Sequence, residues 1–226
     1  RVIVVSEYGI VPVRDAVHIN RALRKAGLIR VRNEMGRELL DAGASRAFAV
    51  ADHQLAHVYL QHGADAAEVK HLLESLDGVA SVHGEEGKRA LGLDHPRSGD
   101  LVALSAADRW FSYYWWLEDA CAPDFARTVD IHRKPGYDPM ELFLDPGLRL
   151  PKMRVARRLI ARKLGFRNLL DVTPLAPTSL VKGSHGLATS GLDSPLVISS
   201  DPELLHEGPI AATAFKDIVL DHVFSE

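Results

Sequence analysis

The chain has 226 residues and only one cysteine, Cys121. A lone thiol excludes an internal disulfide framework, and no Cys-x-x-Cys pair is present to hold zinc or carry redox chemistry. A reducing compartment fits this usage, and a cytoplasmic setting is the expectation. No apolar run approaches the roughly 20 residues that cross a bilayer. Neither charge sign dominates, with 27 basic against 30 acidic residues and a formal net charge of −3. That balance gives no reason to expect nucleic acid or an anionic membrane as a partner. There is no internal repeat and no low-complexity tract.

What is present is ordinary for a folded domain: 46% hydrophobic and 25% charged residues. A chain of this length can bury roughly 70% of the surface its unfolded form exposes. It opens on Arg1 and enters at once the apolar, β-branched run Val2 to Val5, which reads as a buried strand of an α/β sheet. Because such a strand rarely begins a domain, the expectation is that further sequence, the N-terminal half of the domain, lies upstream. The turn Ser6-Glu7-Tyr8-Gly9 follows. Apolar spacing predicts a helix over Asp15 to Lys25, with Gly27 as its C-cap. Leu28 to Asn33 and Ala47 to Tyr59 read as a hairpin-like pair of strands.

Further on, Asp65 to Leu76 reads as an amphipathic helix, Val79 to His83 and Leu101 to Ser105 as strands, and Trp110 to Trp116 as an aromatic cluster. Pro135 to Pro151 holds four prolines and reads as an extended loop. Met153 to Leu164 is a basic amphipathic helix, Val197 to Ser200 a last core strand and Pro209 to Val223 a closing helix. Strands alternating with helices predict α/β architecture, a mostly parallel sheet flanked by helices. Residues 1–50 and 126–226 are expected to form its core, and 51–125 an inserted or peripheral α+β region.

In an open α/β sheet, functional groups collect in loops at the C-terminal strand ends. Glu7 and Tyr8 occupy one such turn, and Lys182-Gly183-Ser184-His185-Gly186 another. A carboxylate and an imidazole at neighbouring loop tips suit zinc or a similar divalent ion. Glycine on either side of Ser184-His185 lets the backbone pass close to an ion or another strand.

Three blocks of the chain carry a resemblance. Val2-Ile3-Val4-Val5-Ser6-Glu7-Tyr8-Gly9-Ile10, Arg97-Ser98-Gly99-Asp100-Leu101-Val102 and Lys182-Gly183-Ser184-His185-Gly186 are similar, in order and spacing, to blocks of the type I phosphodiesterase/nucleotide pyrophosphatase family. That family belongs to the alkaline phosphatase superfamily. The resemblance implies an alkaline-phosphatase-like fold and hydrolysis of phosphodiesters or nucleotide pyrophosphates. It also implies divalent metal ions, with zinc expected and manganese as the alternative, and a small-molecule phosphoester as substrate.

On the same resemblance His185 is a metal ligand, and Glu7 stands where the family has Asp, with Tyr8 where it has His. Glu can ligate, whereas Tyr is a poor zinc ligand until it loses a proton near pH 10. The family's nucleophile lies upstream of the matching segment, so none is named here, and the upstream half of the same protein is an expected partner. A divergent, non-catalytic binding or assembly module of the same fold is the alternative, supported by the Glu7-Tyr8 replacement.

Asp130-Ile131-His132 is a compensating candidate. On a strand Asp130 and His132 would point to one face as further metal ligands. A surface turn with local hydrogen bonds is the equal alternative. Asp52, His53 and His57 are tempting as ligands, but strand-rich surroundings favour a structural role, with His53, Leu55, His57 and Tyr59 on one face. The aromatic cluster is expected to fill the core or a subunit contact in a homo-oligomer, with stacking on a nucleoside base as the alternative. For Arg154, Arg157, Arg158, Arg162 and Lys163 the default is a solvated helix face.

Overall fold

The computed structural model describes residues 1–225. In chain order its strands are β1 (Ile3–Val5), β2 (Val11–Pro12), β3 (Asp15–Val17), β4 (Val31–Glu34), β5 (Arg37–Leu40), β6 (Ala47–Asp52), β7 (Leu55–Leu60), β8 (Val79–His83), β9 (Leu101–Ser105), β10 (Arg109–Phe111), β11 (Gly183–Ser184) and β12 (Val197–Ser199). The helices are α1 (Ile19–Lys25), α2 (Ala66–Glu74), α3 (Glu85–Ala90), α4 (Pro151–Lys163) and α5 (Phe215–Phe224). The chain divides into two units: Val11–Leu187, and Arg1–Ile10 with Ala188–Glu226.

The larger unit is built on a four-stranded sheet in the order β6-β7-β9-β8. Every pairing in it is antiparallel. This corrects the expectation of a mostly parallel sheet. The β6–β7 connection is the two-residue turn His53-Gln54, and so short a loop reverses the chain; a parallel neighbour needs a crossover of a dozen residues or more. Among the described residues the one parallel pair of strands is β3 with β10, and an isolated parallel bridge joins Ala51 to Gly136. The predicted hairpin of Leu28–Asn33 with the next strand is also replaced, by two separate hairpins, β4–β5 and β6–β7.

One face of the sheet is made of small inward side chains, with Ala47, Ala49, Ala51, Ala56 and Ala103 all at most 1% exposed. Small residues let the neighbouring layer approach closely, and here that layer includes α1, α2 and the aromatic run. The α2 helix begins where Asp65 caps it, Oδ1 accepting from the amides of Ala67 (2.7 Å) and Glu68 (3.2 Å). It buries Val69 and Leu73. In α1 the buried Asn20 side chain donates to the carbonyls of Ala49 (2.7 Å) and Tyr113 (3.1 Å) and accepts from the Ala49 amide (2.8 Å). One side chain thus ties helix, sheet and aromatic run together.

Trp110, Phe111, Tyr113, Tyr114, Trp115 and Trp116 are all essentially inaccessible to solvent. Tyr114 stacks on Trp116 at 4.5 Å between ring centroids, and Tyr113 meets Trp115 and Trp116 edge-on. Their burial makes them core, the first of the roles expected for them.

Behind these rings lies a buried ion cluster. Lys134 Nζ is 2.7 Å from Asp138 Oδ2 and 2.8 Å from Glu141 Oε1, and its side chain has no exposed surface. Burial pushes the Asp138 carboxyl above its usual range, opposed by Lys134 and by a hydrogen bond from the Met140 amide. The segment around this cluster is therefore not a free extended loop. Gly136, at φ +119°, crosses β6 so closely that an added Cβ would lie 2.5 Å from the Ala51 carbonyl oxygen. The Tyr137 amide then donates to that oxygen at 2.9 Å.

In the smaller unit β1 pairs antiparallel with β12. The expected buried strand is instead exposed, with Val2, Val4 and Val5 at 62%, 54% and 48%. A two-stranded ribbon leaves both edges and much of each face uncovered, so apolar composition alone does not bury it. The same reason corrects Val197–Ser199 as a core strand: Ile198 is 58% exposed. Arg1 joins β1 to α5, donating to the carbonyls of His222 (2.8 Å) and Ser225 (2.6 Å).

Removing one partner from a buried ion cluster strands the others in a poor solvent. Lys134→Met should cost about 3–5 kcal/mol by that argument. It is read as a lower urea midpoint at unchanged m; a midpoint within error of wild type would show the triad to be dispensable.

Candidate functional site

His185 follows directly on β11, which pairs antiparallel with β2 (Gly183 with Pro12, Ser184 with Val11). The Val13 amide adds a 3.0 Å bond to the Lys182 carbonyl. On its other side the loop meets the His53-Gln54 turn, where the Gln54 amide donates to the His185 carbonyl at 3.0 Å. Gly186 lies in the left-handed region (φ +116°), and an added Cβ there would stand 3.2 Å from the Gln54 nitrogen. Only a glycine passes comfortably at that separation and φ.

The turn facing it is fastened in turn. The Phe111 amide donates to the His53 carbonyl (2.7 Å), the Ser105 amide to the Gln54 carbonyl (2.9 Å), and the Gln54 side chain to the carbonyls of Ala107 (2.9 Å) and Arg109 (3.0 Å). Two backbone segments far apart in sequence thereby bring two imidazoles together. The ring centroids of His53 and His185 are 3.8 Å apart, tilted by 38°. Tyr137 stacks on His53 at 4.3 Å and 29°.

His53 is only 14% exposed at its side chain, and its Nε2 is 3.9 Å from Asp52 Oδ1. Its Nδ1 is buried with no hydrogen-bond partner. Burial, reinforced by His185, lowers the His53 pKa to about 4 against the weaker pull of Asp52. The imidazole is therefore neutral near pH 7, with a lone pair available as an acceptor or ligand.

The remaining sequence candidates fall elsewhere. Glu7 and Tyr8 belong to the smaller unit, in the turn after β1, where Glu7 is exposed. Asp130 and His132 lie in the larger unit but not on a strand. Ile131–Arg133 is a 3-10 turn, so their side chains do not alternate as a strand would make them. Asp130 is held by Arg133 at 2.7 Å, and His132 is exposed. His57 is placed on β7, its Nδ1 accepting from the Gly99 amide at 3.2 Å.

Among the described residues no group of three or more His, Cys, Asp or Glu is gathered as a cation site would require. The donor chemistry of the imidazole pair suits a borderline divalent ion, and the orphaned Nδ1 of His53 supports it. The pair is still short of the three protein ligands a catalytic zinc takes. As a ligand set it fits in part.

His53 is the residue whose place sequence reasoning missed, since Ala47 to Tyr59 is not one strand but two joined at His53-Gln54. The signal was there: inward small residues at Ala47, Ala49 and Ala51 give way to Ala56 and Val58. That change of parity marks a turn at His53-Gln54 rather than one continuous strand.

The chain matches the family model described as type I phosphodiesterase / nucleotide pyrophosphatase over residues 1–138, and it belongs to that family. The match includes Glu7, Tyr8, His53, Asp130, His132 and Tyr137; His185 lies beyond it. Among solved structures, phosphonoacetate hydrolase from Sinorhizobium meliloti 1021 in complex with phosphonoacetate is similar at 22% identity and a TM-score of 0.37, over 50% of this chain and 28% of that one. The same enzyme in complex with phosphonoformate gives 19% identity and a TM-score of 0.36, over 60% and 30%. The chain thus spans less than a third of the length of the structures it matches. A search of the curated proteins gave no match. No helix among the described residues is long and apolar enough to cross a membrane.

The histidines give a pH dependence whose sign is fixed. Burial, then Arg21, also lowers the His18 pKa to about 4, and its Nδ1 is 2.6 Å from Ser112 Oγ. Both His18 and His53 bind protons more readily unfolded, near pH 6.5, than folded. Their stabilising contribution is complete above about pH 6.5 and is lost as pH falls toward 4. Urea midpoints should decline across that window, and His18→Asn should flatten the decline; an unchanged slope would assign it to other groups.

Proposed function

We propose that the chain serves a phosphoester hydrolase of the type I phosphodiesterase / nucleotide pyrophosphatase family, to which it contributes His185 as a ligand to a divalent metal ion. Family membership over residues 1–138 supports the reaction class. The single observation that carries the site is the His53–His185 contact, because it joins the expected ligand loop to a fixed, neutral partner. Zinc is the ion proposed; manganese is the alternative. Cytoplasmic operation is part of the same reading.

Since the described residues gather only part of a ligand set, the activity proposed is that of a longer protein in which further donors and a nucleophile complete the site. The family's Asp-His pair becomes Glu7-Tyr8 here, and on the resemblance we propose Glu7 as an oxygen ligand to the other of the family's two metal ions, not to the one that His185 serves. Asp130 and His132 rank behind it, since one is held by an ion pair and both sit on a 3-10 turn.

A bound divalent ion polarises a phosphoryl oxygen and lowers the pKa of an attacking hydroxyl. The residues of this chain do the positioning. The Gln54–His185 backbone bond fixes the ligand loop, Gly186 admits it against the turn, and Tyr137 stacks on His53. Neutrality of His53 keeps a second positive charge away from the place where an anionic phosphoryl group and a cation would meet.

Zinc binding and cleavage of bis(p-nitrophenyl) phosphate should be measured together on the full-length protein. His185→Ala is expected to weaken zinc binding at least 100-fold and to abolish hydrolysis; loss of a well-formed ligand or of its support has effects on that order. A wild-type protein with neither bound metal nor hydrolysis would overturn the reading and favour the non-catalytic module.

A further inference from the structure

A second cluster of charge lies in the larger unit and shares no residue with the imidazole pair. Arg37 at the start of β5, Arg127, Arg158 of α4 and Arg167 surround a cavity of about 370 Å³, with Asp124 and Asp171 as its carboxylates. Ala122, Pro123 and Leu169 supply a small apolar wall. Four guanidinium groups against two carboxylates leave the lining with an excess of two positive charges (4 − 2 = 2).

The pairings within it are unequal. Asp171 is fully engaged: Arg158 donates to it through Nε (2.7 Å) and Nη2 (2.6 Å), and Arg154 through Nη2 (2.5 Å). Although burial opposes it, these bonds hold the Asp171 carboxyl below its usual range. Arg37 is fixed by neutral partners, its Nη1 donating to the carbonyls of Ala120 (3.0 Å) and Ala122 (3.2 Å). Among the described residues no carboxylate lies within ion-pair distance of it.

Arg127 and Arg167 are held loosely, at 3.6 Å from Asp145 and 3.5 Å from Asp124, with side chains 43% and 79% exposed. Two guanidiniums held by close bonds thus line the cavity beside two with longer pairings and more exposed side chains. A guanidinium is a planar fork that matches phosphate oxygens; Arg158 already gives its fork to Asp171, so Arg127 and Arg167 are the two with donors to spare.

From this arrangement we propose that the cavity is an anion site for an oligophosphate, a molecule carrying two or more linked phosphates. The charge excess calls for more than one negative charge, and donors spread over four arginines of the lining suit an elongated anion. The volume lies at the lower end of the roughly 300–1,000 Å³ of small-molecule sites. The proposal is independent of the metal-site reading.

Inorganic pyrophosphate, titrated calorimetrically into the full chain in metal-free, low-salt buffer, tests it. Saturable one-to-one binding is expected, weaker for orthophosphate and weakened by salt. Arg127→Gln and Arg167→Gln should each lower affinity about tenfold, a charge-assisted bond's share, and Asp124→Asn should raise it. All three side chains are at the surface, and circular dichroism would verify that the variants fold. No saturable heat at millimolar pyrophosphate would overturn the proposal, as would undiminished binding in the Arg127→Gln/Arg167→Gln double variant. Loss of binding in His185→Ala alone would place the anion at the imidazole pair instead and equally overturn it.

Discussion

The buried ion cluster of Lys134 with Asp138 and Glu141 is the constraint on which the candidate site depends. One ammonium lies between two carboxyl groups, and all three are nearly sealed from water. The cost of desolvating such groups is recovered only if each is held in good geometry. The segment that carries them is therefore positioned to within hydrogen-bond tolerances. Gly136 and Tyr137 lie between Lys134 and Asp138, so their places against Ala51 of β6 follow from the ion cluster. Tyr137 in turn rests on His53, and His53 on His185. A structural charge network and a candidate chemical site are thus linked through one short stretch of chain.

The aromatic run explains why that network can stay dry. Tyr113 and Tyr114 present hydroxyls that are buried without a hydrogen-bond partner, and burial, aided by the negative field of Asp138, pushes both phenols well above their ordinary pKa. Lys134 lies 6.0 Å from the centre of the Tyr113 ring, where the ring face attracts a cation. Arg21 stands over Tyr114 and Trp116 at 5.7 and 6.0 Å and donates to the Trp116 carbonyl. Lys134 and Arg21 thus each place a cation against the same group of buried rings.

Much of this was legible in the sequence. The α2 helix, strands β8 and β9, the basic helix α4 and burial of the aromatic run all follow from local pattern. Sheet direction does not, because the alternation of strands and helices is common to parallel sheets and to an antiparallel sheet whose neighbours happen to be joined by helices. Burial of Val2 to Val5 does not follow either, since composition says what a strand prefers to contact and not whether a layer is present. The site divides in the same way. His185 stands out between glycines, whereas His53 acquires meaning only through Gln54, whose amide docks the loop 131 positions further on (185 − 54). The arginine cavity draws on β5, α4 and two loops, and no local spacing encodes it.

The imidazole pair also constrains its own protonation. Two imidazolium charges at 3.8 Å would repel by about 4 kcal/mol at an effective dielectric constant near 20. At least one ring of such a pair stays neutral until the solution is well below the usual histidine pKa, and burial makes His53 that ring. A neutral ring keeps a lone pair, and it is the neutral imidazole that ligates metals. The contact therefore excludes the proton, the commonest competitor for that lone pair, without spending a carboxylate on the task. Protonation and metal ligation are alternatives at the same nitrogen, so packing that disfavours the first keeps the lone pair of His53 open to a partner.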